Sequence, residues 1–141
     1  MRHGFFLCAL VGGFLGGCGP KLPPLGKVGG SVTYKGSPVT EGSVIFTDLA
    51  QGVAVVSDLD SEGHFACEVA RGPGLPPGNY RVAIIPPGRP KPSLQYVAPD
   101  YDAGNKTYPH IPQKYRDEKT SDLTATVQSG DNPEFHFDMK D

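Results

Sequence analysis

Cysteine is scarce in this chain, and none of it can close a disulfide inside the folded domain. Three cysteines occur, at positions 8, 18 and 67. Cys8 and Cys18 fall in an N-terminal segment of their own, so Cys67 is left without a partner. A charge excess is also missing. Thirteen Lys and Arg against fifteen Asp and Glu leave a net charge of −2 and a pI near 6.0. That offers no basic footprint for a polyanion, and nucleic acid is not an expected partner. After residue 20 no uninterrupted window repeats at 3.6 residues, which argues against long helices. Catalytic signatures are absent too. None of His3, His64, His110 and His136 starts an H-x-x-E or H-x-H pair, and no G-x-S-x-G occurs. Zinc-peptidase chemistry and a nucleophile elbow are therefore not expected, nor is any metal or cofactor.

What the chain has in plenty is Gly and Pro, 19 and 15 of 141 residues. They punctuate short alternating apolar runs, the mark of a turn-rich all-β domain. The stretch Gly26–Phe46, GKVGGSVTYKGSPVTEGSVIF, sets the pattern. Val28, Gly30, Val32 and Tyr34 share one face of a first strand, and Val44 and Phe46 share one face of a second. Lys35-Gly36-Ser37-Pro38 makes a turn and short arm between them. Further alternating runs follow at 52–57, 64–69, 80–85, 123–127 and 135–139. Seven such runs with turns every ten or so residues predict a seven-stranded antiparallel β-sandwich. The expected inward set is Val32, Tyr34, Val44, Phe46, Val53, Val55, Phe65, Cys67, Val69, Tyr80, Val82, Ile84, Leu123, Val127, Phe135 and Phe137. Cys67, on that face, is expected to be a buried and inert thiol.

The first eighteen residues read differently. Arg2 and His3 precede a mostly apolar run from Phe5 to Leu15, about eleven residues where a bilayer span needs about twenty. This fits a signal-peptide core, residues 1–17. It ends in Leu15-Gly16-Gly17-Cys18, which resembles the bacterial lipobox; the alternative is an ordinary secretory signal with a chance cysteine. The resemblance implies cleavage before Cys18 and lipidation of its thiol with a diacylglyceryl group, with N-acylation (palmitate or similar) in many bacteria. More than one chain gives stable attachment to a membrane. Residue 19 is Gly rather than Asp, which favours an outer over an inner membrane. Residues 18–25 then form the lipidated Cys and a stiff tether, and residues 26–141 the domain.

The domain carries a second resemblance. V-x-G-x-V-x-Y-K-G-x-P-V-x-x-G-x-V-x-F over Val28–Phe46, D-x-x-G-x-F over Asp60–Phe65 and L-P-x-G-x-Y-x-V over Leu75–Val82 are similar to carboxypeptidase-regulatory-like domains. These have a transthyretin-like β-sandwich, and small bacterial lipoproteins carry them alone. The resemblance implies the fold and an accessory role, not catalysis. The enzyme branch of the transthyretin-like fold ends in Tyr-Arg-Gly-Ser, whereas this chain ends Phe137-Asp138-Met139-Lys140-Asp141. A hydrolase of that class is the remote alternative.

Two stretches hold candidate binding residues. Asp58-x-Asp60-x-Glu62-Gly63 looks like half a calcium loop, but position twelve is Val69 and no helices flank it, so a polar hairpin turn is expected. The Pro-rich insertion 86–112 carries Tyr96, Tyr101 and Tyr108. Tyrosines on a loop can stack on sugar rings or anchor a protein interface; the alternative is that they pack the loop on its own domain. The expected function is thus a non-enzymatic, lipid-anchored envelope module that contacts a protein or an envelope polymer. A carbohydrate-binding module using the loop tyrosines is the alternative.

Overall fold

The computed structural model describes residues 21–88 and 107–141. The all-β expectation holds. Among the described residues ten strands follow one another: β1 (Gly29–Tyr34), β2 (Ser37–Pro38), β3 (Ser43–Asp48), β4 (Val53–Asp58), β5 (His64–Ala66), β6 (Glu68–Val69), β7 (Gly72–Pro73), β8 (Gly78–Ile85), β9 (Thr124–Val127) and β10 (Phe135–Met139). A 3-10 turn, Gln113–Arg116, lies against β8.

One sheet has the order β4-β3-β8-β9, antiparallel throughout. The other is built around β1, with β10 on one side and β2 and β5 sharing the other. A small ribbon, β6-β7, completes the set. The expected antiparallel order needs one correction: β10 runs parallel to β1, from Gly30 opposite Phe135 to Tyr34 opposite Met139. Alternation has the same period in both directions, so the pattern could not reveal this. The pairing depends on Gly30, where a Cβ would overlap the Phe135 carbonyl. The expected fourth strand is also two strands. β5 pairs with β1, the chain then turns at Cys67, whose N–H donates to the Val28 carbonyl (2.9 Å), and β6 pairs with β7.

The two sheets share one core, and aromatic rings mark its centre. Phe46 of β3 lies 5.7 Å from Phe65 of β5, 6.2 Å from Tyr80 of β8 and 6.1 Å from Phe137 of β10. Phe65 and Phe137 stack at 5.9 Å. Such pairs contribute about 0.5–1.5 kcal/mol each beyond the area they bury. Tyr80 buries its ring and satisfies its hydroxyl by donating to the Pro76 carbonyl (2.7 Å). Every residue of the expected inward set is buried or packs half-buried against this core. The core also takes in Val39, Leu75, Ile111 and Tyr115 from turns and connections, which no alternation flagged.

In the sheet β4-β3-β8-β9 the central strands β3 and β8 bury part of the second face as well. Ile45, Ala83 and Ile85 form a separate apolar cluster there, with Val56 against it. β1 and its neighbours differ, for their outward residues are polar.

Candidate functional site

Cys18, Tyr96 and Tyr101 lie outside the described residues. Tyr108 is described, and it packs on its own domain. It is 9% exposed and belongs to the main core, and its hydroxyl sits 3.5 Å from the Pro87 carbonyl. Arg116 holds this bend, its guanidinium donating to the carbonyls of Tyr108 (3.0 Å) and Ile111 (2.8 Å). The ring of Tyr108 is therefore not presented for stacking on a ligand. Cys67 is also buried, and burial pushes its thiol up to about 12, far from the thiolate range. Among the described residues no helix is long and apolar enough to cross a membrane.

The outer face of β5, β1 and β10 lines up several exposed polar side chains. The register makes the row: His64 on β5 and His136 on β10 both stand opposite Ser31 of β1. Ser31 Oγ lies 2.8 Å from His136 Nδ1, and one step along, Thr33 donates to Asp138 Oδ1 at 2.8 Å. Asp138, two residues from His136, is thus engaged with Thr33, and the Ser31–His136 contact is a cross-strand pair.

The turn that leads into β5 adds carboxylates to this row. Asp60 Oδ1 accepts the N–H groups of Glu62 and His64, both at 2.8 Å. The backbone closes the same turn, with Asp60 N–H donating to the His64 carbonyl and Gly63 N–H to the Asp60 carbonyl. Gly63 has φ of +78°, and a Cβ there would meet the Val32 and Val39 carbonyls at 3.0 Å, so glycine suits this position on two counts. The N–H of His64, then that of Glu62, hold the Asp60 carboxyl below its ordinary range. Its Oδ2 faces His64 Nδ1 at 3.8 Å, and Glu62 Oε2 faces the same nitrogen at 3.6 Å.

Asp60, Glu62 and His64 thus converge, one potential ligand atom from each lying within 4.8 Å of the others. This differs from the calcium-like arrangement considered on the sequence. Asp58 is turned to Ser43, whose Oγ donates to its Oδ1 at 2.6 Å. The sequence signal for this convergence is D-x-E-x-H across a hairpin turn. It was missed because the imidazole begins a strand, whereas the two carboxylates belong to the turn before it.

A cleft of about 550 Å³ opens beside this cluster. His64 lines it, with Lys27, Gly29, Gly30, Asn132 and Glu134. Gly29 and Gly30 contribute backbone to its lining. A smaller hollow of about 290 Å³ lies at the far end of β8, between Gly42, Asp58 and Pro86–Gly88.

The domain's entry is tied down close to the cleft. Gly26 exchanges hydrogen bonds with Leu75 at 2.8 and 2.9 Å, and Lys27 donates to the Gly130 carbonyl at 2.8 Å. Compared with protein-family models, with curated proteins and with solved structures, the chain matches none.

Proposed function

We propose that this chain is a lipid-anchored module of a bacterial cell envelope that acts by contact with an envelope protein or polymer and performs no catalysis itself. The observation that carries it is Leu15-Gly16-Gly17-Cys18 behind a short apolar run with a positive start. A second feature supports it. Only six residues, Gly19–Pro24, separate Cys18 from the first backbone tie of the domain, the Leu25 carbonyl that accepts the Gly130 N–H. At about 3.1–3.5 Å per residue, a Pro-rich tether of that length reaches roughly 20 Å, which keeps the domain near the membrane surface.

The three motifs shared with carboxypeptidase-regulatory-like domains support the further assignment of a transthyretin-like sandwich. Two sheets around one aromatic core are what that assignment requires. In such a module the turns and exposed sheet face make contacts while the core supports them. The burial of Tyr108 leaves the carbohydrate alternative resting on Tyr96 and Tyr101.

Fractionation of cells expressing Cys18→Ser tests the anchor. Release from the membrane fraction is expected, and full retention overturns it. In-cell crosslinking followed by mass spectrometry tests the mode of action. A single dominant protein partner supports a contact module, whereas recovery of cell-wall or capsule sugars alone moves the carbohydrate alternative forward.

A further inference from the structure

We infer that Asp60, Glu62 and His64 form a binding site for a divalent transition-metal ion, of the Zn²⁺, Co²⁺ or Mn²⁺ kind, beside the cleft under β5. Three observations combine.

The donor atoms already converge. Glu62 Oε2 and Asp60 Oδ2 lie 3.6 and 3.8 Å from His64 Nδ1. Donors sharing one ion at bonds of about 2.0–2.2 Å are about 3–3.5 Å apart, so small side-chain rotations complete the arrangement. The backbone of the turn that carries them is already closed by Asp60 Oδ1 and by main-chain bonds, so ordering of the exposed Glu62 and His64 side chains is what an ion would add.

The local charge is unbalanced. Among the described residues, Asp122, Asp131, Asp138 and Asp141 each pair with a lysine. Asp60 and Glu62 are paired with no lysine or arginine, and both turn toward one imidazole. Two carboxylates converging on one imidazole nitrogen present a donor set that attracts a cation.

The donor set then selects its class. Calcium prefers six to eight oxygens in a roomy shell. Here an imidazole nitrogen takes part, and the third acid of the loop, Asp58, is held by Ser43. Mixed imidazole and carboxylate donors suit first-row transition ions. His64 also lines the 550 Å³ cleft, so water or a ligand entering there can complete the shell.

Titration of the metal-free full chain with ZnCl₂ by calorimetry, and with CoCl₂ followed by visible absorption, tests the site. Asp60 is left intact in the variants because it closes the turn. One saturable ion per chain is expected. His64→Ala and Glu62→Gln are each expected to weaken it by about tenfold or more. His136→Ala, one strand further away, should leave affinity unchanged. Unfolding midpoints of the variants, expected to match the parent, separate lost binding from lost fold. Three results overturn the assignment: no saturable Zn²⁺ or Co²⁺ binding by the parent chain, parental affinity in either variant, or Ca²⁺ bound more tightly than Zn²⁺.

Discussion

The two sheets of this domain treat their outer faces in opposite ways. In β4-β3-β8-β9 the central strands β3 and β8 are buried for most of their length on both faces, with Phe46, Val82 and Ile84 on one and Ile45, Ala83 and Ile85 on the other. In the sheet around β1 the inner face carries Val32, Phe65 and Phe137, while the outer carries Ser31, Thr33, His64, His136 and Asp138. Apolar burial resists substitution because packing is dense, and hydration of polar residues leaves the other face free to change.

The sharpest way to break this contrast is at the centre of the core. Phe46→Ala removes a ring that contacts Phe65, Tyr80 and Phe137, and is expected to cost about 3–5 kcal/mol in denaturant unfolding. A loss below 1 kcal/mol would mean that the two sheets do not depend on their shared aromatic cluster.

The next effect concerns the parallel pair. Gly30→Ala places a methyl group on the Phe135 carbonyl, and β10 must shift away from β1. The expected loss is about 1–3 kcal/mol, with faster amide exchange along β10 than along β8. Unchanged exchange in β10 would show that the pair tolerates the methyl group and that close approach is not what keeps glycine there.

A smaller effect depends on acid. Asp48, at the end of β3, is buried. It accepts hydrogen bonds from the Gln51 side chain (2.7 Å) and from the N–H groups of Ala50 and Gln51. The Gln51 side chain above all holds its carboxyl below the ordinary value, with the two backbone groups adding to this. A carboxyl depressed in the folded state contributes stability that is present above its unfolded value, about 4, and is lost as pH falls through the folded value. Melting temperature is therefore expected to fall below about pH 4, and less steeply in Asp48→Asn. Parallel acid limbs for the two proteins would remove Asp48 from the account.

The smallest change is expected on the polar outer face of the sheet around β1. Thr33→Val deletes one exposed cross-strand hydrogen bond to Asp138 and should alter stability by no more than about 0.5 kcal/mol. A loss several times larger would erase the contrast, because the polar face would then be structural too.

Much of the fold was legible in the residues. Alternation placed β1, β3, β4, β8, β9 and β10 and predicted an inward set that the core contains, since a half-buried strand must repeat its apolar residues every second position. Turn chemistry located Gly36, Gly63 and Gly78 between or beside strands. The break of the chain at Cys67 was not legible, because Phe65, Cys67 and Val69 keep one period while the pairing partner changes. Nor were Leu75, Ile111 and Tyr115, whose burial comes from connections folding back over the core. The candidate site was partly legible: the turn was seen as polar, yet the imidazole of His64 was assigned to a strand and not to the acids before it.

What the sequence determined by itself is local and periodic: an all-β chain, the strands, their inward faces and an N-terminal segment unlike the rest. Each follows from chirality, side-chain alternation and turn conformation within a few residues. The tertiary structure decided what depends on distant partners: the parallel pairing of β10 with β1, the burial of Tyr108, and the row that places His64 and His136 on either side of Ser31. Residues 105 positions apart, such as Ser31 and His136, meet only once both sheets have closed on the core. No window of sequence holds that information, because it resides in the register between strands.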